Sequence, residues 1–192
     1  MGSLSGLVLC GGGSRRMGRE KALLVVGDEL LVLRVARRVG MAASPVMLAT
    51  GTPGRLGDMG YPEVEDERPG AGPLSGLVAG LAASPTELLA AVAVDMPFAS
   101  PEVLRLLAAL RRNEDAVVPA GPLGIEPLHA VYSRKALPAL RDALFSGRLG
   151  LREVIAGLRL REVAEEEWRE ADPTGRFLMN LNRVEDFASL EP

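Results

Sequence analysis

The sequence predicts an α/β chain: a mostly parallel, doubly wound sheet with helices on both faces, of the Rossmann-like kind. Three observations predict it. Short, wholly apolar runs recur along the chain, helical stripes stand between them, and two of the runs close at Cys10-Gly11 and at Asp95, residues suited to the ligand-binding edge of such a sheet. At 192 residues and 47% hydrophobic content, the chain is long enough for one sizeable core and short for two, so a single domain over 1–192 is expected.

Taken in order, Gly6 to Leu9 is an apolar strand that feeds a glycine-rich turn. Leu30, Leu31, Leu33, Val35, Ala36 and Val39 then recur on a helical stripe, which Gly40 stops. Val46 to Ala49 reads as a second buried strand, and Thr50-Gly51-Thr52-Pro53-Gly54 as the turn that ends it. Leu74 to Ala83 is helical, and Leu88 to Val94 is an all-apolar strand ending at Asp95. Pro101 to Arg112 forms a helix with Leu104, Leu107 and Leu110 inward and Pro101 in its first turn, followed by a strand at Ala116 to Val118. Pro119 to Pro127, rich in glycine and proline, reads as a surface loop over the site.

Composition removes several classes of function. A net charge of -3 gives no basic excess for nucleic acid. The longest apolar stretch, Gly76 to Val94, is broken by Ser84-Pro85-Thr86-Glu87, so no membrane span is expected, and no basic-then-apolar leader is apparent. A cytoplasmic protein is the expectation. One cysteine and one histidine exclude an internal disulfide and a Cys/His zinc site, which leaves Cys10 as a small buried apolar residue. Lys21 and Lys135 are the only lysines, glutamine is absent, and two of the three asparagines stand together as Asn180 and Asn182.

The densest signal is Leu9-Cys10-Gly11-Gly12-Gly13-Ser14-Arg15-Arg16-Met17-Gly18-Arg19-Glu20-Lys21. Gly11, Gly12 and Gly13 permit consecutive N–H groups to converge on phosphate oxygens, and Arg16 and Lys21 add fixed positive charge, a combination suited to a polyphosphate. Neither of two better-known phosphate loops fits. A P-loop needs lysine directly after its second glycine, whereas Arg19 and Glu20 intervene here, and a dinucleotide fingerprint needs glycine where Arg16 stands.

The stretch resembles the Leu-x-Gly-Gly-x-Ser-x-Arg-Met-Gly-x-x-Lys opening of nucleotidyltransferases, specifically the molybdenum cofactor guanylyltransferases, with Cys10 in place of the usual alanine and Glu20 in place of the usual aspartate. The resemblance implies a nucleotidyltransferase fold, GTP and molybdopterin as substrates, and Mg2+ as cofactor. It implies nucleotide contact for Leu9 to Gly13 and Lys21, with Arg16, Lys21 and Asp95 catalytic and Asp95 the metal ligand. In Asp95-Met96-Pro97-Phe98 a carboxylate emerges from a strand end before a proline, a hard oxygen ligand of the kind magnesium takes, or else an ordinary turn start.

Further segments resemble the same family. Gly72-Pro73-Leu74-Ser75-Gly76, preceded by Asp66, implies nucleotide contact at Asp66, Gly72 and Pro73. A carboxylate can accept from the N1 and N2 donors of guanine; whether Asp66 meets base or ribose, or is a solvated loop acid, stays open. Asn180-Leu181-Asn182 resembles the family's Asn-x-Asn, with both amides near acceptor or metal-bound water, and with Asn182 alternatively capping a final helix. Pro127-Leu128-His129-Ala130-Val131-Tyr132 resembles the acceptor-side strand, where His129 either touches substrate or, as lone histidines more often do, serves structure. Arg148 and Arg152, beside Gly147 and Gly150, are candidates to grip the phosphate of an anionic pterin. A molybdoenzyme apoprotein or cofactor-insertion protein is the implied protein partner. The competing readings are a cytidylyltransferase for the same pterin, another small-molecule nucleotidyltransferase on this fold, and a non-catalytic protein that delivers nucleotide or cofactor.

Overall fold

The computed structural model describes residues 3–11 and 20–181. In chain order, β1 (Leu4–Leu9) is followed by a small antiparallel ribbon of β2 (Val25–Val26) and β3 (Glu29–Leu30), then α1 (Leu31–Gly40), β4 (Val46–Gly51), β5 (Glu63–Glu65), α2 (Pro73–Ala83) and β6 (Leu88–Ala93). The second half runs α3 (Pro101–Leu110), β7 (Ala116–Gly121), β8 (Gly124–Ile125), β9 (His129–Ser133), α4 (Leu137–Ser146), α5 (Leu151–Ala156), β10 (Leu160–Val163) and α6 (Glu165–Trp168).

The main sheet has the order β10-β7-β9-β6-β1-β4-β5, with β8 pairing β7 at one end. Its neighbours are parallel except where β9 meets β6 and β7 and where β8 meets β7. The expected doubly wound sheet is therefore present, with β8 and β9 reversed. The reversal has a simple cause: after β7 the chain returns to the sheet without a crossover helix, and a connection that short permits only an antiparallel partner. Pro119 to Pro127 is accordingly not a plain loop. It carries the end of β7 and all of β8, and Gly124, at φ +91°, lets the chain reverse beside Pro122-Leu123.

Strand alternation divides the core between the two faces of the sheet. Val8, Leu48, Val92 and Val131 point to the face covered by α1 and α3, where Trp168 of α6 also packs. Leu7, Met47, Leu89 and Tyr132 point to the opposite face, covered by α2, α4 and α5. Each fully buried leucine contributes about 1.5–3 kcal/mol relative to exposure. On α2, Gly76 and Gly80 face β1 so closely that a Cβ at either would stand 2.7 Å from Leu9 or 2.4 Å from Leu7. The helix thus lies flat on the sheet, and its first turn is held at the carboxyl edge of the strands.

Candidate active site

Parallel strands share one carboxyl edge, and the ends of β1 and β6 lie side by side there. Leu9 pairs with Ala93, the Leu9 carbonyl accepts the Val94 N–H at 3.0 Å, and the Cys10 N–H donates to the Ala49 carbonyl at 2.9 Å. These bonds fix the departure points of the glycine-rich run and of Asp95. Immediately after Glu20 the chain folds into a 3-10 turn (Lys21–Leu23), from which the Lys21 ammonium reaches the Asp95 carboxylate, Nζ to Oδ2 at 3.0 Å. The two residues are 74 positions apart in sequence. Their side chains retain 17% and 24% exposure, which leaves both accessible to a ligand.

Asp95 opens onto a cleft of about 630 Å3, whose walls include Pro73, Glu126, Gly150, Arg152 and Asn180. Asn180 is placed there by its neighbour, since the buried Leu181 donates its N–H to the Asp95 carbonyl at 2.8 Å. A second hollow of about 420 Å3 shares Glu126, Arg152 and Asn180 with the first and continues toward Trp168 and Met179 under the β7–β8 turn. Arg152 donates to the Leu123 carbonyl at 3.2 Å, tying that turn to α5.

Glu126 and Glu153 are acids lining this cleft to which the sequence assigns no role, and Glu126 is the more enclosed. Its Oε1 accepts the Leu128 N–H at 3.1 Å. Burial pushes its carboxyl above the usual range, with nearby Asp95 pushing the same way; the Leu128 N–H, Arg152 and a hydrogen bond with Asn180 oppose the rise. Nothing in the spacing marks Glu126, because its neighbourhood depends on the reversed β9.

Asp66 stands at the end of β5, where its N–H donates to the Gly51 carbonyl at 3.3 Å. Glycines flank its carboxylate, with Gly51 and Gly76 positions where a Cβ would lie 3.6 and 3.7 Å from its oxygens. Desolvation raises its carboxyl above the ordinary range, and Arg55 pulls it back. Arg55 itself is a second residue that sequence pattern does not single out. Its Nε donates to the Thr50 carbonyl at 2.6 Å, its Nη2 to the Cys10 carbonyl at 3.1 Å, and its Nη1 to the Glu20 carboxylate.

The remaining expected residues separate. Gly72, at φ +71°, caps the start of α2 and delivers Pro73 to the cleft. Leu9 and Cys10 are buried, and desolvation pushes the Cys10 thiol up to about 12. Gly11 is exposed, with open space where a Cβ would stand. Gly12, Gly13, Arg16 and Asn182 lie outside the described residues.

Two acceptor candidates lie apart from the residues that line the cleft. Arg148 is exposed, pairs with Asp142 at 2.9 Å, and is not among the residues lining either hollow. His129 has no exposed surface, so it cannot touch an acceptor: its Nε2 accepts the Ser100 N–H at 3.0 Å, its ring lies 4.7 Å from that of Phe177, and burial drives its pKa down to about 4. It joins β9 to the start of α3.

The chain matches the family model described as the MobA-like NTP transferase domain over residues 6–164. A protein of Chloroflexus aggregans named "Probable molybdenum cofactor guanylyltransferase" is 33% identical over 189 residues, covering 95% of this chain and 91% of that one. The molybdenum cofactor guanylyltransferase of Desulfosudis oleivorans is 31% identical over 195 residues, covering 100% and 96%. Among solved structures, molybdopterin-guanine dinucleotide biosynthesis protein A from Archaeoglobus fulgidus superposes with a TM-score of 0.84 at 25% identity, covering 97% of this chain and 96% of its own. The lysine–aspartate pair at the strand ends thus sits in a chain that belongs to the MobA-like NTP transferase family, a family of nucleotidyltransferase enzymes.

Proposed function

We propose that the protein transfers GMP from GTP to the terminal phosphate of molybdopterin or its molybdenum form, releasing pyrophosphate and leaving a dinucleotide cofactor. The observation that carries this reading is the Lys21–Asp95 pair, set at the joined ends of β1 and β6 and opening onto the cleft. The acceptor phosphate is already ionised and is itself the nucleophile, so no general base is required. Catalysis reduces to alignment and charge stabilisation at the α-phosphorus. Lys21 supplies positive charge where negative charge develops on the leaving pyrophosphate, and the glycine-rich run from Gly11, with Arg16, is proposed to hold the β- and γ-phosphates.

The site suits magnesium. Asp95 offers an accessible carboxylate, a hard oxygen donor, with the Glu126 carboxylate and Asn180 on the same cleft wall, and a magnesium site on a nucleotide takes few protein oxygens besides phosphate and water. When bound there, the ion would neutralise triphosphate charge and draw electron density from the leaving group. Asp66, between its two glycines, is proposed to accept from the N1 and N2 donors of guanine, or from the ribose, and Arg152, Glu126 and Asn180 to face the acceptor. The cytoplasmic location and a molybdoenzyme or cofactor-insertion partner belong to the same proposal.

The test is pyrophosphate release with purified molybdopterin, Mg2+ and each of the four nucleoside triphosphates. Release with GTP alone supports the reading. Release with CTP instead would point to cytidylyl transfer, and binding without release would point to a delivery protein.

A further inference from the structure

Arg55 stands where three strands of contact meet. Its guanidinium donates to the carbonyl of Cys10, at the end of β1, and to that of Thr50, near the end of β4, while its remaining arm holds the Glu20 carboxylate. Glu20 directly precedes Lys21, and its own carbonyl accepts the Leu23 N–H at 3.0 Å, closing the turn that carries the lysine. One step further on, the Lys21 ammonium meets Asp95. A continuous path therefore runs from β4 through Arg55 and Glu20 to the lysine. The Arg55–Glu20 and Lys21–Asp95 contacts in it join residues 35 and 74 positions apart, whereas Arg55 and Thr50 stand only 5 apart.

We infer that Arg55 is a positioning residue: acting through Glu20, it fixes the turn that carries Lys21 and so sets the ammonium against Asp95. Three features favour arginine here. A planar guanidinium can satisfy two carbonyls and a carboxylate at once in fixed directions, which an ammonium cannot. Arg55 is about a third exposed and Glu20 slightly less, so their attraction is only partly screened. The length of Glu20 matters as well, because its extra methylene lets the carboxylate meet an arginine anchored to the sheet. An aspartate would fall short by about one carbon–carbon bond.

The inference rests on the reading of Lys21 and Asp95 as the transfer pair, and two measurements keep the two apart. The first uses the fact that Lys21 and Lys135 are the only lysines. Reductive methylation with 13C-formaldehyde gives a short NMR spectrum whose signals are assigned with Lys21→Arg and Lys135→Arg, and it reports the setting of Lys21 without any turnover. Glu20→Gln leaves Arg55 its two carbonyl bonds, and Arg55→Gln removes the charge outright. Both are expected to move the Lys21 signal and leave that of Lys135 in place, with the double variant moving it no further than the larger single change.

The second measurement is GTP-dependent pyrophosphate release. Each single variant is expected to lose roughly tenfold or more in kcat with KM for GTP changed by less than about threefold, and the double variant to lose no more than one of them. Thermal unfolding of Glu20→Gln within a few degrees of wild type separates positioning from loss of fold. An unmoved Lys21 signal, or losses in kcat that multiply in the double variant, overturns the positioning role. A wild-type chain that releases no pyrophosphate with any triphosphate overturns the transfer reading instead, whatever the NMR spectrum shows.

Discussion

Leu181 donates its backbone N–H to the carbonyl of Asp95 at 2.8 Å, so the residue proposed to hold the metal also anchors the segment that brings Asn180 to the cleft. Side chain and backbone of one residue thus serve the two halves of the site. Asp95 sends its carboxylate toward Lys21 and its carbonyl toward the C-terminal segment.

Lys21→Ala is expected to lower kcat by about 10²–10³-fold, the loss typical of a group that stabilises charge mainly in the transition state. Stability should change little, because a partly exposed ion pair contributes only about 0–1 kcal/mol. Steady-state kinetics beside thermal unfolding reads both numbers, and a variant with normal turnover would remove Lys21 from the mechanism.

Asp95→Asn keeps the shape and loses the charge. Its backbone carbonyl can still receive Leu181, so the fold should persist while Mg2+ titrations of activity shift to much higher concentration or reach no plateau. Unchanged magnesium dependence would place the metal elsewhere.

Glu126 carries a raised pKa, so the fold favours its protonated form. A carboxyl raised on folding adds stability below its unfolded pKa and loses that stability as pH rises through the folded value. At neutral pH the ionised group is therefore a cost to stability. Glu126→Gln is expected to unfold at a higher temperature than wild type at pH 7, with the difference shrinking on acidification, and to raise KM for the acceptor more than KM for GTP. Calorimetry at pH 7 and near pH 4.5 checks the first, and KM for each substrate the second.

His129 gives the opposite signature. Its folded pKa of about 4 lies below the ordinary value of 6.5, so the unfolded chain takes up the proton first. Stability is full above pH 6.5, declines as pH falls, and levels off near pH 4, for a total on the order of 3 kcal/mol. His129→Leu leaves the Ser100 N–H without its partner and is expected to cost about 1–3 kcal/mol at pH 7. It should also flatten the pH dependence between 6.5 and 4, which urea titrations at several pH values would reveal.

Cys10 is buried and its thiol is pushed up to about 12, so thiolate is scarce at neutral pH. Reaction with a thiol reagent at pH 8 should be slow in the folded protein and fast after unfolding. Rapid labelling of the native chain would show that the end of β1 opens.

Much of this architecture was legible in local pattern, and the illegible part has a consistent physical origin. The apolar runs at β1, β4 and β6 and the stripes of α1 and α3 announce themselves because buried parallel strands are apolar throughout and these two covering helices are amphipathic, whereas α2 is buried on nearly every face. Lys21 and Asp95 could be named from the chemistry that surrounds each of them in sequence. Glu126 and Arg55 could not, because decisive neighbours come from remote segments: for the first, a strand whose direction depends on a turn at Gly124, for the second, the end of β1 and a carboxylate 35 positions away. For His129 the sequence leaves substrate contact and a structural role both open, with structure the commoner case for a lone histidine. Only the packing of Phe177 and the start of α3 reveals that it is enclosed.

The most direct measurement is magnesium-dependent pyrophosphate release from GTP with molybdopterin as acceptor, run in parallel on wild type, Lys21→Ala and Asp95→Asn. Guanylyl transfer through this pair predicts rapid release by wild type and a loss of at least about a hundredfold in both variants, with all three chains folded. Equal release by all three, or release by none with any triphosphate, would contradict it.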